Sequence, residues 1–197
     1  MWIASFDIGI KNFAFAITEI YQEKISSFPF TPCISDMHTC FDLIHFENID
    51  LTENAKDIRA NNMIQVFRNL YDVLDSFQYL WEQCDVFLIE QQMQFRHASN
   101  IKALKLSQHV LAYLIIRHSS KCIQEYPAYH KTQVWNAPAK LKKHERKKWA
   151  IDTVQKLMDA KKDGETGERN MIFHDLKKKD DVSDCVLMCL AYAFQKK

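Results

Sequence analysis

The sequence predicts an α/β fold: one domain over residues 1–197, built on a mixed five-stranded sheet with helices on both faces. Three observations predict it. Two strand-like runs flank a tight turn at the start of the chain. A short apolar run ending in a carboxylate, Asp85-Val-Phe-Leu-Ile-Glu90, reads as a buried parallel strand. Beyond residue 55, segments with helical spacing alternate with short strand-like ones.

Residues 2–9 and 12–20 read as strands joined by Gly-Ile-Lys-Asn; Phe13, Phe15 and Ile17 alternate with Ala14, Ala16 and Thr18, the period of two that a strand requires. Residues 22–38, with Pro29, Pro32 and several serines, read as an irregular excursion, and Cys40 to Phe46 as a third strand. From Ala55 to Glu82, Ile58, Met63, Val66, Phe67, Leu70, Val73, Leu74, Phe77 and Leu80 recur at helical spacing, predicting one long amphipathic helix with room for one break. The strand ending at Glu90 follows. Ser99 to Arg117 is a second helix, and Lys121 to Tyr126 a fifth strand, stopped by Pro127. Pro138 introduces a basic segment that becomes a helix through Trp149, Val154 and Leu157. Residues 161–170 hold two of the chain's three glycines and read as a flexible loop; a final helix runs from near Asp180 to Phe194.

Composition excludes several classes. Apolar residues at 47% and charged residues at 26% fit a globular chain, and no apolar run reaches membrane-spanning length. The six cysteines form no C-x-x-C pair, so reduced, mostly buried thiols are expected rather than zinc or disulfides. Net charge is only +1, but Lys140-Leu-Lys-Lys-His-Glu-Arg-Lys-Lys148 and Lys177–Lys179 concentrate positive charge. Taken alone, each run reads as a solvated face. No phosphate-binding loop, nucleophile elbow or H-E-x-x-H motif is present, and His97, His109 and His118 read as ordinary residues rather than ligands.

Four acids stand out instead. Asp7 and Glu90 sit in apolar strands, where an uncompensated charge is costly. Asp181 and Asp184 are three apart and share a helical face. For that helix alone, Asp180 as N-cap with dipole-complementing acids behind it is an equally good reading. Together, crowded carboxylates call for a cation, and Mg²⁺ suits them because it takes oxygen ligands and keeps waters. Two such ions about 4 Å apart would serve phosphodiester hydrolysis.

"FDIGIKN" at the first strand, "LIEQQ" at Leu88–Gln92 and "KKKDDVSDCVLMCLAYA" at Lys177–Ala193 resemble the acidic motifs of RuvC-type Holliday junction resolvases, most closely the poxvirus-type branch, which is similar also to fungal mitochondrial resolvases. The resemblance spans residues 6 to 193. It implies a ribonuclease H-like fold and a metal-dependent endodeoxyribonuclease that resolves four-way junctions by paired symmetric nicks. It also implies Asp7, Glu90, Asp181 and Asp184 as catalytic metal ligands for two Mg²⁺ ions, with Mn²⁺ as a substitute. Asp7 would be shared by both ions, and Glu90 would hold one and orient the water. Asp180 is the neighbouring alternative to Asp181; the family's Asp-x-x-Asp spacing favours 181.

For DNA contact the residues offer Lys11 and Asn12 after Asp7, Gln91 and Gln92 after Glu90, Arg96 within Phe95-Arg96-His97, and the basic set Lys142, Lys143, Arg146, Lys147 and Lys148. Two symmetric nicks from one active site per chain imply a C₂ homodimer, through the helix at 55–82 or that at 99–117. A first strand beginning at residue 2 argues against an import leader and for a cytoplasmic enzyme of a virus-infected cell, with no membrane association. Rival readings are a ribonuclease H-like nuclease for flaps or RNA–DNA hybrids, and a junction-binding protein with weak catalysis. An actin- or hexokinase-like ATP-binding protein is a poorer match, since three glycines cannot furnish its phosphate and adenosine loops.

Overall fold

The computed structural model describes residues 1–28, 37–59, 61–92, 100–161 and 171–196. Its first feature follows from the period-two pattern. Strands β1 (Trp2–Asp7) and β2 (Phe13–Ile20) pair antiparallel in a hairpin, and β3 (Phe41–Ile49) adds to the outside of β2. Strands β4 (Val86–Glu90) and β5 (Cys122–Tyr126) continue the sheet from the other side of β1, both parallel, giving the order β3-β2-β1-β4-β5. This is the expected mixed five-stranded sheet. The hairpin turn is tight: a Cβ on Gly9 would lie 2.6 Å from the carbonyl oxygen of Asn12.

Alternation along the central strands sends their side chains into two separate cores. On one face Ala4, Phe6, Phe13, Phe15, Phe87 and Ile89 pack against α2 (Ile64–Ser76), α3 (Gln78–Trp81) and α4 (Ile101–Arg117). On the other, Ile3, Ala14, Ala16, Val86 and Leu88 pack against α6 (Lys143–Ala160) and α7 (Lys179–Gln195). Small residues let α7 lie close to the sheet. The Ser5 hydroxyl donates to the Cys185 carbonyl at 2.7 Å, and the thiols of Cys185 and Cys189 donate to the carbonyls of Ala14 and Ile3. Those two cysteines are core residues, as their spacing predicted. Among the described residues every cysteine is a free thiol, and only Cys122 is exposed.

The structure corrects several element boundaries. Residues 22–26, expected to be irregular, form a one-turn helix, α1 (Gln22–Ser26). The long helix at 55–82 begins only at Ile64, because Asn54 and Asp57 take left-handed backbone (φ 56° and 53°) that no α-helix accommodates. It breaks at Phe77, and the break turns Trp81 back so that its indole N–H donates to the Leu74 carbonyl at 2.8 Å, inside the aromatic cluster of Phe6, Phe15 and Phe77. Residues 129–134, which the sequence reading left unassigned, form α5 (Tyr129–Val134). Asp180 is not an N-cap; it lies in the first turn of α7, behind Lys178. Residues 29–36 of the irregular excursion and 162–170 of the glycine-containing loop lie outside the described residues. Among the described residues no helix is long and apolar enough to cross a membrane.

Candidate active site

Parallel pairing of β1 with β4 aligns Phe6 with Ile89, so Asp7 and Glu90 come next to each other at the carboxyl ends of adjacent strands. Ligand sites of α/β sheets gather at this edge. The first turns of α7 lie over the same edge and bring Asp184 to the pair. Asp7 feels burial first, then the charge of Glu90 and of Asp184, and shares a hydrogen bond with Glu90; its pKa is raised well above 3.8. Burial also raises Asp184, against the pull of Lys131.

The cation that these acids require is Lys131, on α5. Its ammonium lies 2.8 Å from Asp184 Oδ2 and 3.4 Å from Glu90 Oε1, with its side chain only 8% exposed. Burial works against the charged amine, but Asp184 and Glu90 outweigh it, and its pKa is raised. Sequence reasoning missed this residue. One signal was available: four acids at strand and helix ends with no internal cation among them, and Lys131 the first cation after β5, the strand beside Glu90.

Asp181 is one step removed. It accepts a hydrogen bond from the Asn48 amide at 3.4 Å, which also donates to the Lys178 carbonyl at 3.1 Å and ties α7 to the end of β3. Burial and then Asp180 raise its pKa. Asp180 is held by Lys147, and that contact overcomes burial to lower its pKa. The alternative ligand therefore has a partner of its own.

The donor set is all carboxylate oxygen, the chemistry a hard divalent cation takes. Such a cation could stand where burial and Glu90 otherwise favour a proton on Asp7. Among the described residues, no three acids or histidines are yet spaced as a metal shell; Lys131 bridges Glu90 and Asp184.

Of the expected DNA contacts, Lys143, Arg146 and Lys147 face a cavity of about 360 Å³ that reaches Glu90, Lys131 and Asp184, and Gln91 lies on its wall. Lys142 and Lys148 are exposed outside that cavity. Lys142 begins α6, its backbone N–H donating to Glu145 at 2.6 Å. Gln92 folds back, its amide donating to the Glu90 carbonyl at 3.1 Å. Lys11 is exposed and Asn12 half-buried on the turn after Asp7. Arg96, with Phe95 and His97, lies outside the described residues. His109, half-buried, stacks on Phe67 at 3.8 Å and His118, buried, packs on Phe87, both around α4 rather than at the strand ends.

With the fold and site in view, three kinds of likeness agree. The family model described as Poxvirus A22 protein matches residues 1–196. The uncharacterized protein 97L of Invertebrate iridescent virus 3 is 31% identical, over 96% of this chain and 98% of its own. Protein 170L of Invertebrate iridescent virus 6 is 27% identical, over 98% of this chain and 88% of its own. Among solved structures, the fowlpox virus resolvase in complex with Holliday junction DNA superposes with a TM-score of 0.62 at 20% identity, over 100% of this chain and 99% of that one. The yeast mitochondrial Holliday junction resolvase gives 0.63 at 16% identity, over 98% of this chain and 78% of that one. RuvC of Thermus thermophilus gives 0.58 at 14%, over 100% and 97%. At these identities the structures show a shared fold. By the match of its whole length, the chain belongs to the poxvirus A22 protein family.

Proposed function

We propose that this protein is a metal-dependent, structure-selective DNA endonuclease that resolves four-way junctions by paired symmetric nicks. The observation that carries the reading is the convergence of Asp7, Glu90 and Asp184 on Lys131 at the carboxyl edge of β1 and β4, beside the basic face of α6. Membership of the poxvirus A22 family supports it, as does a fold shared with resolvases from fowlpox virus and yeast mitochondria.

Asp7, Glu90, Asp181 and Asp184 would hold two Mg²⁺ ions, or Mn²⁺ in their place; bound there, the metal supplies Lewis-acid stabilisation of the phosphoryl oxygens and an acidified water. The chain's own groups do the rest. Glu90 would orient the water and accept its proton, while Asp184, paired with Lys131, keeps that ammonium in place. Lys131, fixed between them, donates to the phosphate oxygen on which negative charge grows. Lys143, Arg146 and Lys147 hold the backbone, and the counterions they release from it favour binding most at low salt.

Two symmetric nicks require two copies of this site, so the working unit in this reading is a C₂ homodimer. Ile115 and Ile116, 51% and 78% exposed at the end of α4, offer an apolar patch for it. Sedimentation of the wild type and of Ile116→Asp tests this: a dimer that the variant dissociates is expected, and a wild-type monomer on junction DNA overturns it.

The test of activity is cleavage of end-labelled four-way, flap and linear DNAs and an RNA–DNA hybrid, with Mg²⁺ and with EDTA. Paired nicks across the four-way junction, lost in EDTA, are expected. Cutting only of flap or hybrid would move the substrate to the alternative nuclease reading. Junction binding without cutting would make it a binding protein.

A further inference from the structure

Beside the carboxylates lies a cavity whose apolar and aromatic lining neither catalysis nor backbone contact explains. Part of its lining is apolar and aromatic: Pro127 just before α5, Tyr129 at the start of α5, and Trp149 from α6. Lys143, Arg146, Lys147 and Ala150 recur at positions i, i+3, i+4 and i+7, so one face of α6 is turned into it. The cavity measures about 360 Å³ and is lined also by Glu90, Lys131 and Asp184. That volume lies at the small end of the ~300–1,000 Å³ range of ligand pockets, and it suits one nucleotide rather than a duplex.

Its aromatic wall is braced. Tyr129 is 56% exposed, and its ring lies against the His130 ring, 4.3 Å between centroids. The Gln195 amide donates to His130 Nδ1 at 2.8 Å, and the Gln195 carbonyl accepts from the Tyr126 hydroxyl at 2.7 Å. A large aromatic face held open to solvent beside three cationic side chains is the combination that takes an unstacked base together with its phosphate.

We infer that this cavity receives one nucleotide, unstacked from the duplex beside the phosphate to be cut, with its base on Tyr129 and Trp149 and its phosphate on Lys143 and Arg146. The inference rests on the nuclease reading above and names a subsite for it. Extruding a base costs least where pairing is already broken, so the pocket favours cutting at a branch point over cutting within a continuous duplex. Its dimensions also make it a place where the identity of that base is felt, which gives cleavage a local sequence preference.

The test is a two-way cycle on the full-length protein. Single-turnover cleavage is measured for the wild type and Tyr129→Ala, on an intact junction and on junctions with one abasic site placed at each nucleotide flanking the cut. At one flanking position, the abasic site is expected to slow the wild type roughly 5- to 100-fold, the range of one base stacked on an aromatic ring. Tyr129→Ala should slow the intact junction comparably, and the two losses should not multiply. Tyr129→Phe, which keeps the ring, should restore the rate. Tyr129 is largely exposed, so an unchanged melting temperature separates this effect from misfolding. Losses that multiply at every position, or a Tyr129→Phe variant as slow as Tyr129→Ala, would overturn the subsite while leaving the nuclease reading intact. A wild-type chain that cuts no junction would overturn both.

Discussion

Replacing Lys131 with Met leaves three acids crowded at the edge of β1 and β4 without their cation. The gross attraction lost is large: at 2.8 and 3.4 Å, an effective dielectric near 20 gives about 6 and 5 kcal/mol for the two contacts. Dehydration of the ammonium offsets part of this. The net cost of breaking a buried pair from one side is about 3–5 kcal/mol. With the Lys131 side chain 8% exposed and Glu90 18%, little solvent screening reduces that figure. For a chain of this length the loss corresponds to a fall in melting temperature of about 6–20 °C. The assay is thermal unfolding in EDTA at neutral pH. A second variant carrying Asp184→Asn as well should regain part of the loss, because one orphaned charge is then gone. A Lys131→Met protein that melts with the wild type in EDTA would show that the ion-pair account of the site is wrong.

Further predictions concern charge and space. Asp7 has its folded pKa raised well above 3.8 by burial first and then by Glu90 and Asp184. The native state therefore keeps a proton that the unfolded chain has released, and the stability of the metal-free protein should decline as pH rises from near 4 through the folded pKa. Melting curves in EDTA between about pH 4 and pH 8 should flatten in Asp7→Asn, which should also fail to cut; a wild-type slope in the variant contradicts this. Salt titration of junction binding should lose about 0.9 from its logarithmic slope in Arg146→Ala. Lys147→Ala should lose less, since Asp180 already neutralises that amine in the free protein; equal slopes for wild type and Arg146→Ala would return α6 to a merely solvated face. Gly9→Ala drives a methyl group to 2.6 Å from the Asn12 carbonyl and should cost about 1–3 kcal/mol. Urea unfolding measures it, and an unchanged midpoint would mean that the turn relaxes freely.

Much of the fold was legible in the sequence because it depends on local pattern. Alternation in Phe13–Ile17 gives a strand whatever its neighbours do, and the apolar run before Glu90 has too few polar residues to be anything but buried on both faces. The acids were legible for a related reason: Asp7 and Glu90 interrupt apolar strands, where charge is costly enough to mark a purpose. Backbone geometry was harder to read. Ile58 and Met63 keep helical spacing, yet Asn54 and Asp57 adopt left-handed conformations that end any helix there, and spacing carries no record of φ.

The sequence by itself determined the strands, most of the main helices and the place of Asp7 and Glu90 in their strands, since all of these follow from residues near one another in the chain. Only the tertiary structure decided how their charge is balanced. Lys131 reaches Glu90 across 41 residues and Lys147 reaches Asp180 across 33. Asn48 reaches Asp181 across 133. Apart from the place of Lys131 just after β5, none of these partners has a local signature: a buried lysine is written like an exposed one. The pairings exist because β4 and β5 run parallel and α7 lies back over β1, and Coulomb attraction depends on that separation in space, not along the chain.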